Sequence, residues 1–517
     1  MAKYKKYDYN QMMMVPVAFK DQLMEGTIEY AINEVVDTKL NLEHFAQKYH
    51  NDATGRPAYD PGILLKVVLL AYARGIIGSR RIEQLCRENI TFMALTCGQA
   101  PDHSTLAHFI SSMKKEVIHL FRDILLYCDG LDLLGGTHFS LDGLKLPSNA
   151  SKEWSGTFKD LKKKKGKLEE KLKQVVHEHE QKDKQDSVSG SKREKRIGRL
   201  SKKIERIERF LQEEEPRVGK TRAELQSNVT DNESAKMPTS HGVIQGYNSQ
   251  AMVDSKHQII VHAEVFGNGQ DHDNLSPMLS GAQKNMETIG RGSDYFNNRI
   301  LSCDANYHNK ENLKRCAEEE IDAYIPDMKF RKRDERYENQ GRFKNGINPR
   351  KRIKPDRNVE AARFTLTDFV YNERDKSYRC PNGRVLKRNA HRFPIRHVLY
   401  DIYRSRASDC IGCPFRSRCL SKEDGKQKYI LIPLARAPGV APDSVLIDAM
   451  KQKIDSPQGR KVYSQRLAIV EPVFANIRCH KRLDRFTLRS KVKVNVQWLL
   501  YAMVHNIEKT LHYGLAY

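Results

Sequence analysis

Long apolar runs are missing from this sequence, and acidic residues are in short supply. The most apolar early stretch, 63–77, is interrupted by Lys66 and Arg74. It predicts a buried helix, because a membrane span needs about 20 consecutive apolar residues. No apolar run follows the charges of MAKYKKYDYNQ, so no secretory signal is expected. Cysteine is sparse outside one cluster. Of 10 cysteines, Cys86, Cys97, Cys128, Cys303, Cys316 and Cys479 are scattered, and with no export signal expected they suit a reducing cytosol, as small buried apolar groups. Asp and Glu number 65 against 89 Lys and Arg, a net charge of +24. An excess of that size implies a polyanionic partner, of which nucleic acid is the commonest. The 517 residues suit two or three domains.

Residues 1–130 read as helical. Pro61 opens a segment with Leu64, Leu65, Val68, Leu69 and Tyr72 at helical spacing. A short helix fits 79–88, and PDHSTLAHF offers Ser104 or Thr105 as the N-cap of another. Short helices broken by Gly and Pro fit a helix-turn-helix-like bundle, or equally a helical domain with no DNA contact. Residues 136–147 read as a strand with Asp142 near its end, within a core segment of 136–150. From 151 to 236 the composition turns to Lys, Glu and Arg. Leu161, Leu168, Leu172 and Val175, then Ile197, Leu200, Ile204, Ile207 and Leu211, fit two coiled-coil seams. With DSVSGS as the turn, they predict an antiparallel hairpin whose charges are a solvated face or a DNA contact. Residues 237–326 alternate strands and helices, which predicts an α/β mixed sheet with Asp142 and Asp304 at the ends of two strands. Short strands are expected at 364–366, 369–371 and 428–433, and 456–517 reads as helical.

Between 327 and 357 stand twelve Lys or Arg against five Asp or Glu, with Phe330, Tyr337 and Phe343 interleaved. Arg331, Lys332, Arg333, Arg350, Lys351 and Arg352 are candidates for the DNA backbone; the alternative is a disordered basic loop. Cys380, Cys410, Cys413 and Cys419 form the cysteine cluster. Four thiolates suit structural Zn²⁺, while reduced core cysteines or a redox pair at Cys410 and Cys413 remain open. Two carboxylates at neighbouring strand ends suit Mg²⁺ or Mn²⁺, although a strand-end Asp is also a common turn former or helix cap.

KVYSQRLAIVEPVFANIRCHKRL, residues 461–483, resembles the Tyr…Arg…Glu signature of bacterial insertion-sequence DDE transposases, with Tyr463, Arg466 and Glu471 matching it. HFSLDGLKL and ILSCDANYHNKENL resemble that family's first and second Asp strands. PDHSTLAHF, TDNESAKM, IQGYNSQAMVD and GNGQDHDNL resemble its other segments, in the same order along nearly the whole chain. Two departures stand out. Four residues separate Arg466 from Glu471 where the family commonly has three, and Arg478, with Lys481 nearby, takes the place of a Lys. The resemblance implies a ribonuclease-H-like core holding Asp142, Asp304 and Glu471 around two metal ions. It also implies phosphate contact by Tyr463, Arg466, Arg478 and Lys481, and a 327–455 insertion placed before the 456–517 part of the core. The implied partners are double-stranded DNA, at transposon ends and target, and a second copy of the chain in a synaptic complex. The implied setting is the bacterial cytoplasm at the nucleoid, with no membrane. A repurposed DNA-binding protein and a metal-dependent nuclease without strand transfer are the alternatives.

Overall fold

The computed structural model describes residues 17–46, 48, 57–182, 187–219, 223–240, 242–337, 364–395, 398–420, 425–436 and 443–514. It divides into two units, residues 1–330 with 450–517, and residues 331–449. Among the described residues no helix is long and apolar enough to cross a membrane.

The first unit begins with six main helices, α1 (Ile28–Thr38), α2 (Pro61–Ala73), α3 (Ser79–Glu88), α4 (Ile90–Leu95), α5 (His103–Ser112) and α6 (Glu116–Gly130). Pro61 starts α2 where a missing N–H costs nothing, and the Asp60 carboxylate caps it by accepting from Gly62 N at 2.6 Å. The expected stripe of α2 is buried, but so are Lys66, Val67 and Leu70 on its other sides. The helix lies between α1 and the last helix of the chain, and Lys66 is tolerated there because Asp37 sits 2.6 Å away. Asp102, and not Ser104 or Thr105, caps α5. Its carboxylate accepts from both their backbone amides, at 2.8 and 3.0 Å. Cys86, Cys128, Cys303 and Cys316 are buried as expected, whereas Cys97 and Cys479 are exposed. Cys97 sits in the left-handed turn that follows α4 (φ 49), which keeps its side chain out of the core.

A mixed sheet follows. Its strands are β1 (His138–Pro147), β2 (Ala235–Thr239), β3 (Gly242–Asp254), β4 (Ile260–Phe266), β5 (Ile300–Cys303) and β6 (Asp322–Tyr324). The path is β2-β3-β1-β5-β6, with β4 also on β3. β1 runs antiparallel to β3, from Phe139↔Asp254 to Pro147↔Gly246, and parallel to β5, from His138↔Ile300 to Leu141↔Cys303. β5 and β6 are parallel. The expected α/β mixed sheet is therefore present. Asp142 is not at the end of its strand, which continues to Pro147. It stands where the β1–β5 ladder stops.

Between β1 and β2 the charged segment forms α7 (Phe158–Lys182) and α8 (Ser187–Glu213). Leu161, Val175, Leu200, Ile204, Ile207 and Phe210 are buried along their seam, and Lys165 and Glu208 pair across it at 2.7 Å. Residues 187–191, read from sequence as part of the turn, are the first turn of α8.

The sheet is covered by α9 (Leu275–Thr288) and α10 (Lys310–Glu318), which flank β5 in sequence, and by helices from the C-terminal part. After α11 (Asp443–Asp455), α12 (Pro457–Ala475) packs on β1, β3, β5 and β6, and α13 (Lys491–Tyr513) packs on β4, α1, α2 and α6. Pro472 lies inside α12. A proline there leaves the carbonyl four residues back without its helical donor. That carbonyl, on Ala468, instead accepts from Gln258 Nε2 at 3.0 Å. Gln258, in the β3–β4 turn, also accepts from His505 Nε2 of α13 through its own carbonyl at 2.9 Å. One turn residue thus ties both helices to the sheet.

The second unit is built on a meander of five strands, β7 (Val370–Asn372), β8 (Ser377–Arg379), β9 (Val385–Ile395), β10 (Val398–Arg404) and β11 (Tyr429–Arg436), in sequential order. Phe369, Leu386, Tyr403 and Ile430 form its small core, with Cys380 and Cys419 packed against it. The strand expected at 364–366 is absent. Thr365 instead caps a turn of 3₁₀ helix at Leu366–Asp368 in a capping box with Asp368. Arg350, Lys351 and Arg352 lie outside the described residues.

Candidate active site

The register between β1 and β5 ends at Leu141↔Cys303, so Asp142, still within β1, and Asp304, just past the end of β5, come next along two adjacent parallel strands. Burial pushes the Asp142 carboxyl above the usual carboxylate range, and the nearby charge of Asp304 pushes the same way. The Arg466 guanidinium and the Gly143 amide oppose this shift without cancelling it. Gly143 N donates to Asp142 Oδ1 at 2.8 Å, and Arg466 Nη1 donates to Asp142 Oδ2 at 2.7 Å. Arg466 is 7 % exposed. Burial works against its charge, but Asp142, Tyr463 and Asp304 together hold it above its ordinary range. Its Nε is buried with no acceptor among the described residues. Two carboxylates are thus brought to one place, and a buried cation from α12 is aimed at them.

Glu471 does not join them. It lies on the exposed face of α12 and has no hydrogen bond or ion pair among the described residues. A five-residue step on a helix turns about 500°, leaving Arg466 and Glu471 about 140° apart. The face that packs on the sheet carries Val462, Arg466, Ile469, Val470 and Val473. Among the described residues no group of three or more His, Cys, Asp or Glu could hold a metal ion. The chemistry of Asp142 and Asp304 suits a hard divalent cation, and their mutual repulsion favours one, but the third donor is not with them.

Tyr463 packs edge-on to Phe330 at 5.4 Å and beneath the Arg466 guanidinium at 5.8 Å. Arg478 is exposed, 4.0 Å from Asp484. Lys481 corrects the expectation of phosphate contact. It is 1 % exposed, and its ammonium is held by Glu508 at 2.6 Å and Asn476 Oδ1 at 3.0 Å. A lysine so enclosed serves the core, since freeing it would strand Glu508. In the second unit Arg331, Lys332 and Arg333 are exposed. There the four clustered cysteines are free thiols, and burial pushes the Cys419 thiol up, with Cys410, Cys380 and Cys413 all near enough to add to the shift.

Residues 17–112 match the family described as Transposase domain (DUF772), and residues 379–511 match the Transposase DDE domain. Together they support an insertion-sequence DDE transposase. Searches of curated proteins and of solved structures gave no match. The second match takes in the cysteine cluster, Arg466 and Glu471, while Asp142 and Asp304 lie outside both matched segments.

Sequence reasoning missed a buried carboxylate beside this pair. Asp271 is 9 % exposed and accepts from Asn248 Nδ2 at 2.6 Å, Gln250 Nε2 at 2.9 Å and Asn306 Nδ2 at 3.3 Å. Asn306 Nδ2 also lies 3.3 Å from Asp304 Oδ2, so one amide links Asp271 to Asp304. Tyr307 O–H donates to Gln250 Oε1. Gly143 belongs to this network by having no side chain, because a Cβ there would collide with the Gln250 and Asn248 side chains. The signal was present in NSQ and GNGQDHDNL, where amides and acids sit in strand and loop segments, but their convergence depends on the sheet register.

Proposed function

We propose that the chain cuts DNA at transposon ends and joins the freed 3′ ends to target DNA, using Asp142, Asp304 and Glu471. The observation that carries the reading is the convergence of Asp142 and Asp304 at the end of the β1–β5 ladder, with buried Arg466 donating to Asp142. In this reading the sheet is a ribonuclease-H-like core, with β1, β3 and β4 as its antiparallel strands and β5 and β6 parallel to the first. The α7–α8 hairpin and the second unit are its insertions, and the N-terminal helices are a DNA-binding domain.

Divalent cations, Mg²⁺ or Mn²⁺, would supply activation of the attacking oxygen and stabilisation of the leaving oxygen when bound. Asp142 and Asp304 would hold them, with Glu471 as the third carboxylate. Arg466 orients Asp142 and carries a donor ready for a phosphate oxygen, a role that suits its planar fork. Arg478, exposed just beyond α12, would meet the DNA backbone in this reading. Water is the first nucleophile and the freed 3′-hydroxyl the second, so both steps are in-line displacements at phosphorus. Holding two ends at once calls for at least a dimer.

The test is strand cleavage and joining of a duplex that carries the element's terminal repeats, in Mg²⁺ and in Mn²⁺. Cleavage that survives Asp142→Ala and Asp304→Ala would sink the assignment. The exposed position of Glu471 favours one second reading, a DNA-binding protein without catalysis. Repeat binding without cleavage in either metal would establish it, and cleaved but unjoined product would instead mean a nuclease.

The four cysteines of the second unit are proposed as a structural zinc site. The donor chemistry suits zinc, although in this structure the thiols do not close into a chelating set. About one zinc per chain is expected by elemental analysis, lost in Cys410→Ser with Cys413→Ser. A protein purified without chelator that carries no zinc would leave a reduced cysteine core.

A further inference from the structure

A cleft of about 670 Å³ opens on the strands of the second unit. Among the described residues, Arg384, Lys387, Arg388, Arg404 and Arg406 line it, against one carboxylate, Asp409. Arg388 has Asp401 at 3.5 Å. Arg384, Lys387, Arg404 and Arg406 form no ion pair among the described residues.

The ladder adds an independent sign. Lys387 on β9 stands directly opposite Arg404 on β10, and residues opposite each other in an antiparallel pair share a face. Like charges in that position destabilise a sheet. Nothing in the local core requires them, since the adjacent Leu386 and Tyr403 are the buried residues. Both cations instead face the cleft, where a concave wall of one sign concentrates an opposite charge. The strain is relieved by a repeated anion that can span several cations at once.

We propose that this cleft binds the phosphate backbone of duplex DNA, as a contact separate from the Asp142–Asp304 site. The choice of DNA over another polyanion rests on the transposase reading above. The contact is to backbone charge and carries no sequence preference of its own.

The full chain is titrated with a short random-sequence DNA duplex by fluorescence anisotropy across a salt series. The proteins compared are the unaltered chain, Lys387→Gln with Arg404→Gln, Arg384→Gln with Arg406→Gln, and Arg374→Gln as an exposed cation of the same unit outside the cleft. Each phosphate contact contributes about 0.9 to the slope of log affinity against log salt, so each double variant is expected to flatten it by about 1.8. Arg374→Gln is expected to leave the slope in place. Thermal melting provides a folding control, and removing the opposed pair is expected to hold or raise the melting temperature. Unchanged slopes in both double variants would overturn the proposal, as would an equal change in Arg374→Gln. So would a loss confined to single-stranded RNA of the same length. Cleavage by the unaltered chain reads the functional assignment separately. Failure to cleave with the expected slope changes rejects that assignment and keeps the cleft, while cleavage with unchanged slopes does the reverse.

Discussion

Arg466→Gln is expected to destabilise the first unit by about 3 kcal/mol near neutral pH, and by much less in acid. The Asp142 and Arg466 side chains are 25 % and 9 % exposed, and their polar atoms meet at 2.7 Å. Removing the arginine leaves a largely desolvated carboxylate without its partner, which is the costly way to break a buried pair. The pH dependence has a definite sign. Asp142 in the folded protein already binds its proton more tightly than an unfolded Asp, because of burial and of Asp304. Whatever that group contributes is present at low pH and lost as pH rises through its raised value. Without Arg466 the value rises further, so acid protonates Asp142 and removes the unpaired charge. Urea unfolding at two pH values reads this directly. A loss of equal size at both would mean that Arg466 acts by packing alone. The acid limb of strand cleavage is expected to move to higher pH in the same variant, because the carboxylate must be ionised to hold a cation.

Glu471→Gln is expected to behave in the opposite way. Its side chain is exposed and has no partner among the described residues, so stability should stay within about 0.5 kcal/mol of the unaltered chain. Cleavage is expected to fall by about 10² to 10³-fold, the scale of losing one preorganised charged group. Stability is read by urea unfolding, and rate by single-turnover cleavage of a repeat-bearing duplex. Full activity in Glu471→Gln would remove it from the site and turn the search for a third donor to Asp271, the buried carboxylate nearest in hydrogen-bond terms to Asp304. A large loss of stability would show that the exposed position is not the one it occupies in solution.

Much of the fold could be read from pattern. The α2 stripe, the α7–α8 seam, the β3–β4 hairpin and the buried face of α13 follow from apolar spacing alone, because each buries one continuous face. The misreadings are local. Asp102 takes the cap from Ser104 and Thr105 because one carboxylate satisfies two amides. Thr365 makes a capping box where alternation suggested a strand. The site was legible only in part. Asp142 and Asp304 were findable as acids on or just after predicted strands, although Asp142 lies inside β1, but Asp271 was not, since its three amide partners come from β3 and from the loop after β5. Lys481 read as a surface cation because nothing in its spacing announces Glu508, 27 residues later on α13. Glu471 was named on its signature, and the fifth-residue step from Arg466 already implied that the two side chains diverge.

The packing of α13 also bears on how the molecule is made. Tyr501 stacks on Tyr72 at 4.6 Å, and Asn506 fastens the start of β4 by accepting from Ile260 N at 2.9 Å. The earliest helices and the edge strand β4 are therefore completed by residues synthesised more than 200 positions later. Contacts that distant in sequence slow folding, because the intervening chain must be ordered before they form. On the ribosome, α2 would wait with its apolar surface uncovered while the hairpin and the second unit fold locally. The nascent chain is thus expected to be a client for chaperones until α13 emerges. On the proposed function, cleavage would need α12 seated on β1 and β5, and would be withheld from every incomplete copy.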